Sequence, residues 1–481
     1  MRRLPVRAAR ALALAATLAL PGCTLFPPYQ RPPVQAPESF RGQAAPASTP
    51  QSLADLDWGE VYRDPVLEKL IATGLAQNYD LKIATARVEQ FQALASVAGL
   101  GSIPLVAASG VRGGNRYSTV GPTPYPSTAP NPANSYSANI VASYEIDFWG
   151  RISNAQAAAK ADLLTSEYAR ETVRITLIAN VATTYFGLRT LDRQLAITRR
   201  TLATREKFLE LTRAQFKRGV VSGLDVNRAE ASVATARAAI PDLQRQATQT
   251  ENLLQVLLGQ NPGPILREAT GEAQFFPVPP EVPAGLPATL LERRPDLRQA
   301  ESNLVSANAQ LKSVKASLFP TISLTAALGS LSKALSGLFT GPAGTWAWGL
   351  GFLQPIIDIN RNTYQVDVYT AREKEAILAY QAAVSQAFRE VADALAARQA
   401  YAEQLVAQED QVRALRAASQ QVLKRYAAGY SSYFEVIDAD GSLFAAELLL
   451  AQAYQNSLSS FVQLYRSLGG GWKNADLINT P

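Results

Sequence analysis

Most of the chain carries apolar residues at helical spacing, but a few short stretches switch to period two. Trp346-Ala347-Trp348-Gly349-Leu350-Gly351-Phe352 alternates large apolar with very small residues without a slip. Between Ser137 and Phe148, one face takes Ala138, Ile140, Ala142, Tyr144, Ile146 and Phe148. The other takes Ser137, Asn139, Ser143, Glu145 and Asp147, with Val141 the exception. Thr321-Ile322-Ser323-Leu324-Thr325 repeats the alternation. Period two predicts strands. One apolar, aromatic-bearing face opposite a small polar face, in runs of about ten, is the pattern of a transmembrane β-barrel strand. A half-buried strand of a soluble sandwich shares that pattern, but here only two hairpins are predicted and the remainder is helical. Loops rich in Gly, Pro, Asn and Ser join the pairs over 112–134 and 330–345. Four strands do not close a lipid-exposed barrel, which takes about eight at least, and open edges are not tolerated in hydrocarbon. If these strands meet lipid, the chain must oligomerise.

The helical stretches are unusually long. From Arg151 to Arg218 there is no proline and only Gly187 among glycines, and Arg361 to Ala428 has neither. About 68 residues at 1.5 Å each predict helices of roughly 100 Å. Val384, Phe388, Val391 and Leu395, then Leu405, Val412, Leu415 and Val422, recur at helical spacing among alanines that permit close helix approach. A plain structural coiled coil would look similar. The hairpins inserted at matching points argue instead for a structure built around a lumen.

Those matching points belong to an internal repeat. Tyr79-Asp80-Leu81 through Pro104 matches Pro295-Asp296-Leu297 through Pro320 at a constant offset. Gly219, Ser222, Asp225 and Val226 match Gly429, Ser432, Glu435 and Val436, and Leu258-Gly259 matches Leu468-Gly469. Asp147-Phe148-Trp149-Gly150-Arg151 parallels Asp358-Ile359-Asn360-Arg361 with one residue dropped. Each half therefore reads as a helix of about 25–35 residues ending at a proline (Pro104, Pro320), two strands, a very long helix, a break, and a returning helix. The predicted division is a first repeat over 58–260, with its hairpin at about 104–148 and long helices over 151–259. A linker over 261–285 follows. The second repeat covers 286–469, with its hairpin at about 320–356 and long helices over 361–468, before a tail over 470–481. Pro241 lies inside the first returning helix where the second has Ala451, and predicts a local kink.

Composition narrows the chemistry. The 481 residues contain no histidine, one cysteine and one methionine, against 46 Lys+Arg and 40 Asp+Glu. Without histidine there is no Ser-His-Asp or Cys-His machinery and no imidazole metal ligand, and one cysteine makes no internal disulfide or zinc cluster. No nucleotide-binding pattern and no nucleophile–base pair is present, so the expectation is a non-enzyme without metal or cofactor. Arg2, Arg3, Arg7 and Arg10 precede an apolar run from Ala11 to Leu20, too short to span a bilayer and typical of an export signal. Leu20-Pro21-Gly22-Cys23 resembles the bacterial lipobox, with a less usual proline. That assigns 1–22 to a signal peptide, Cys23 to lipidation, and 23–57 to a lipidated strap rich in Pro, Ala, Ser and Gln. Thr24 after the cysteine, rather than Asp, implies sorting to the outer membrane. A plain secretory signal with a stray cysteine is the alternative. Removing 1–22 takes away four arginines and no acid, lowering the formal charge from +6 to +2. No basic stripe survives, which argues against a nucleic-acid partner.

Two turns carry the remaining candidate sites. Ser222-Gly223-Leu224-Asp225 and Ser432-Tyr433-Phe434-Glu435 both fit the S/T-x-x-D/E box that opens a helix, which accounts structurally for Asp225 and Glu435. Asp438 lies one turn beyond Glu435 on the same face. Acids so placed, repeated around an oligomer, would ring a narrow opening and favour cations. A solvated surface aspartate is the plainer reading.

Tyr144-Glu145-Ile146-Asp147-Phe148-Trp149-Gly150-Arg151, Arg293-Arg294-Pro295-Asp296-Leu297, Leu318-Phe319-Pro320 and Leu464-Tyr465-Arg466-Ser467-Leu468-Gly469-Gly470-Gly471-Trp472 resemble the TolC-type outer membrane factor family, in its lipoprotein branch. The resemblance runs from about Trp58 to Trp472. It implies a mainly α fold with a membrane β part: a homotrimer with four strands per chain, a 12-stranded barrel and a long periplasmic α-helical barrel. It implies partners too: outer-membrane lipid, a periplasmic adaptor and an inner-membrane pump of the RND type. By position, the resemblance makes Asp438 the aperture acid, Glu435 its occasional companion and Asp225 a tip residue bonding to a neighbouring gate helix. Gly219, Val220, Ser222, Gly429, Tyr430 and Ser432 fall on the adaptor-docking tips. Ile359-Asn360 replaces the family's Gly-Gly, and Ser431 stands where the family's archetype has a latch arginine. The implied function is a passive exit duct for small amphipathic toxicants. A duct for exported polypeptides or metal ions, or a structural envelope lipoprotein without a pore, remain alternatives from the sequence.

Overall fold

The computed structural model describes residues 26–34, 37, 39–41, 53–62, 64–122, 126, 128–267, 287–354, 356 and 358–472. The expected signal peptide over 1–22, the expected lipidation site Cys23, and the greater parts of the linker and tail fall outside them. The described helices and strands are α1 (Trp58–Tyr62), α2 (Pro65–Gln77), α3 (Tyr79–Leu100), β1 (Leu105–Asn115) and β2 (Ala133–Ile146). Then follow α4 (Arg151–Lys217), α5 (Gly223–Leu257), α6 (Pro287–Arg293) and α7 (Pro295–Ala316). The last are β3 (Thr321–Ser332), β4 (Gly344–Leu353), α8 (Ile359–Ala427) and α9 (Tyr433–Ser467). The long helices are confirmed: α4 has 67 residues and α8 has 69. Two expectations need correction. The helices before the prolines, α3 and α7, have 22 residues each and end at Leu100 and Ala316, before reaching Pro104 and Pro320. Each ends in a tight turn instead, Gly101–Ile103 and Ser317–Phe319, closed by i→i−3 backbone bonds. The second long helix begins at Ile359, two residues earlier than expected, so Ile359-Asn360 belongs to helix. By contrast, Gly150, just before α4, takes φ +77°. Helix α5 runs unbroken through Pro241.

The described residues divide into two compact units: those up to Pro32, Glu89–Thr165 and Glu301–Ala379 in one, and those of Pro33–Val88, Ser166–Ala300 and from Tyr380 onward in the other. The first holds one antiparallel sheet in the order β1-β2-β3-β4, so the two hairpins join through β2 and β3. At the strand–helix junction, Trp149 donates from Nε1 to the Pro320 carbonyl at 2.8 Å and stacks on Phe319 with ring centroids 4.8 Å apart. Asp147 accepts from the Ile152 and Ser153 amides and so caps α4.

The second unit shows what the repeat is for. Asn78 donates from Nδ2 to the Leu257 carbonyl at 2.9 Å, satisfying an orphan acceptor at the end of α5. The equivalent position in the second half is Arg294, which donates to the Ser467 carbonyl at the end of α9 at 3.0 Å. Different side chains make the same tie. Beyond each helix, Gly259 (φ +71°) and Gly469 (φ +76°) turn the chain in the left-handed region, closing Gln260 N to Gln255 O and Gly470 N to Tyr465 O. This arrangement explains both the Leu-Gly stops and the Asp-Leu starts. Around them Leu67, Ile71, Val181, Ala182, Leu188, Leu254 and Leu297 are buried, each leucine contributing about 1.5–3 kcal/mol. Tyr62 packs edge-on against Phe186 and Tyr465, and Tyr185 donates from its hydroxyl to Asp64 at 3.0 Å. Among the described residues no helix is long and apolar enough to cross a membrane.

Candidate functional site

Strand register fixes what each face of the sheet presents. One face carries the row Ile146–Ile322–Phe352, then Tyr144–Leu324–Leu350, Val106–Ala142–Ala326–Trp348, and Ala108–Ile140–Leu328–Trp346. Trp346, Trp348, Leu350 and Phe352 are all about 70 % exposed, a concentration of bare apolar surface that a water-facing sheet does not tolerate. The opposite face carries Ser137, Asn139, Ser143, Glu145, Ser323, Thr325 and the glycines opposite them. Glycine is required at 329, where a Cβ would sit 2.2 Å from Asn139 Oδ1 and 2.3 Å from the Ala138 carbonyl oxygen. The one acid in the strands is Glu145, which takes a bidentate bond from Arg151 at 2.8 Å. Within the chain β1 and β4 each pair on one side only, leaving two open edges.

At the helical turns of the second unit, Gly219 (φ +74°) ends α4 and Gly429 (φ +80°) ends α8, with open space around both. Val220 and Tyr430, one residue on, are 69 % and 77 % exposed. Ser222 and Ser432 open α5 and α9 with complete capping boxes: each hydroxyl accepts from the amide three residues on, and Asp225 or Glu435 accepts from the serine amide. Those bonds from Ser432, backbone first and hydroxyl second, hold the Glu435 carboxyl below its ordinary value. Asp438 is exposed and makes no hydrogen bond or ion pair among the described residues. The Ser431 hydroxyl is buried without a hydrogen-bond partner among them.

Along the helices between these turns and the Leu-Gly stops lies an ionic layer that the sequence pattern did not reveal. Glu447 on α9 is buried, its side chain 7 % exposed, and is held by Arg200 of α4 at 2.5 Å and Arg416 of α8 at 2.8 Å. Seven residues earlier, Asp440 accepts from Arg205 Nε at 2.7 Å, while the same guanidinium donates to the Ser232 carbonyl of α5 and lies over the Phe444 ring. All four long helices are thus tied together. Apolar clusters bracket the layer. Toward the turns, Ala229, Tyr433 and Val436 pack with Phe208, Val422 and Tyr426; on the other side Val412, Ala446 and Leu450 pack with Leu405 and Leu443. Cavities of about 230 and 460 Å³ open beside the ion pairs. The sequence did contain one signal: Glu447 interrupts the run from Leu443 to Leu450. Its partners, more than 200 residues away for Arg200, were not readable.

Comparison with known proteins agrees with this geometry. A family model described as outer membrane efflux protein matches residues 70–260 and 286–470. The chain is 37 % identical over 471 residues to the toluene efflux pump outer membrane protein TtgF of Pseudomonas putida, covering 96 % of this chain and 97 % of that protein. It is 31 % identical over 466 residues to the probable outer membrane lipoprotein SilC of Salmonella typhimurium, covering 96 % and 98 %. Among solved structures, the outer-membrane channel OprN superposes with a TM-score of 0.87 at 28 % identity, over 94 % of this chain and 100 % of that one. The open state of the Neisseria gonorrhoeae MtrE outer membrane channel gives 0.82 at 31 % identity, over 93 % and 98 %.

Proposed function

The chain belongs to the outer membrane efflux protein family, whose members are outer membrane channels, and we propose that three copies of it close a passive exit duct. It is an outer membrane efflux channel with a TolC-like fold. The observation that carries the trimer is the four-stranded sheet with two open edges and one bare apolar face. Edge joined to edge, three copies give 12 strands with no free backbone in lipid and the serine- and threonine-bearing face around the lumen. Cargo passes down its own gradient. The chain itself performs no chemistry, and an inner-membrane pump of the RND type supplies the energy through a periplasmic adaptor that meets the turns at Gly219, Val220, Ser222, Gly429, Tyr430 and Ser432. The exposed Val220 and Tyr430 beside helix-ending glycines suit such a contact. Small amphipathic compounds are the cargo this reading favours, in keeping with relatives named for toluene, solvent and antibiotic efflux. Cys23 carries the acyl anchor, and the lipoprotein name of SilC supports that assignment.

At the closed end, Asp438 supplies the aperture charge, with Glu435 and Asp225 committed first to their helix caps. Replacing Asp438 with alanine removes three charges from the ring and breaks no hydrogen bond among the described residues. Cells carrying D438A take up bulky antibiotics several-fold faster, read as a fall in the inhibitory concentration of a drug too large for ordinary porins. Unchanged susceptibility at equal expression would remove Asp438 from the gate.

A further inference from the structure

The sheet unit has an uneven charge distribution that the duct does not use. From residue 102 to 144 and from 316 to 357 the sequence contains no acid, and its only cations are Arg112, Arg116 and Lys333. All three fall at one end of the sheet. Arg112 lies near the end of β1, Arg116 just follows Asn115, and Lys333 just follows Ser332, where both hairpins turn. The opposite end, where the strands meet helices, holds Glu145, Asp147, Arg151 and Asp358. All three loop-end cations are exposed.

Register places Arg112 on the apolar face and not on the lumen face, in the row Arg112–Tyr136–Ser332. Its guanidinium lies 5.8 Å from the Tyr136 ring centroid, an aromatic support for a cation beside a lipid-facing surface. Counting along β2, Tyr136 stands ten residues from Ile146 at the inner edge of the apolar band. Ten residues at ~3.3 Å, tilted by ~40°, rise about 25 Å, the height of the apolar band of outer-membrane barrels. Arg112 therefore sits at the outer edge of the hydrocarbon, with Trp346 and Trp348 further down the same apolar face, level with Ile140 and Ala142.

We propose that Arg112, Arg116 and Lys333 form a phosphate-binding rim for the phosphorylated glycolipid of the outer leaflet. The proposal rests on the barrel reading above. A guanidinium on the lipid side, held on an aromatic ring at headgroup depth with no neighbouring acid, suits a lipid-borne phosphate through paired N–H donors. Surface cations serving only solubility would not need the lipid-facing row.

The test uses the full-length protein and an R112Q/R116Q/K333Q variant, purified in the same detergent. Each is incubated with lipid A bearing both phosphates, or with its dephosphorylated form, and retained glycolipid is counted by native mass spectrometry. The wild-type protein retains at least fivefold more phosphorylated lipid A than the variant, and neither retains the dephosphorylated form. R112K/R116K, which keeps the charge, retains at least half of the wild-type amount. Equal retention by the triple variant, or equal retention of both glycolipids by the wild type, overturns the rim. Planar-bilayer conductance of both proteins separates the two readings: conducting channels with equal retention reject the rim alone. A wild type and a D438A variant that both incorporate and never conduct reject the barrel and take the rim with it.

Discussion

Valine at position 259 should leave almost no folded protein. Gly259 has φ +71°, and a Cβ there would lie 2.2 Å from the Gln77 carbonyl oxygen and 2.6 Å from its carbon. Neither neighbour has room to give, because the adjacent Asn78 is fixed by its bond to the Leu257 carbonyl. Two costs combine. The left-handed backbone alone costs an ordinary residue about 1–2 kcal/mol, and the overlap with backbone adds a displacement of the helix end. G259V should reduce the yield of heat-resistant, folded oligomer at least tenfold, read by gel mobility with and without boiling. Gly219 provides the control, since its φ is similar at +74° and nothing lies within 4 Å of its Cβ position. G219A carries only the backbone cost and should fold. Equal yields for the two variants would show that close approach to the Gln77 backbone is not what selects glycine.

The second large effect concerns Glu447. This carboxylate is buried and shared by Arg200 and Arg416, whose side chains are about half exposed. Breaking a fully buried pair costs about 3–5 kcal/mol, and screening of the two arginines reduces that to roughly 1–3 kcal/mol for E447A. The consequence extends to function, because Glu447 and Asp440 lie on α9, the helix that also carries Asp438. Without Glu447, that helix keeps a charged attachment to the first half of the chain only through Asp440 and Arg205, beside the apolar clusters on either side. E447A should therefore lower the midpoint of thermal unfolding by several degrees and raise leakage of bulky antibiotics. R200A should do the same, and the double variant should be much less than additive in both readouts. Full additivity would mean that the pair does not act as one tie.

What was legible in the sequence follows from how local each cause is. Period-two runs identified β2, β3 and β4, and the register then confirmed the two faces of β2 from Ser137 and Ala138 onward. The capping boxes at Ser222 and Ser432 were readable because donor and acceptor lie three residues apart. The repeat was readable as identity at Leu258-Gly259 and Leu468-Gly469. Its physical reason was not, because Asn78 and Arg294 make the same tie with unlike side chains. The ends of α3 and α7 were misplaced because proline marks where a helix is forbidden, whereas the turns at Gly101 and Ser317 stop it earlier. The ionic layer was invisible because helical periodicity says which face is buried but not which distant helix covers it.

Planar-bilayer recording of the purified protein tests the passive duct most directly. With no nucleotide, no pump and no proton gradient, the wild-type protein should insert and give discrete conductance steps of small size and cationic preference. D438A should give larger steps with weaker preference for cations. Wild-type protein that incorporates into the bilayer yet never conducts, with D438A equally silent, would contradict the account.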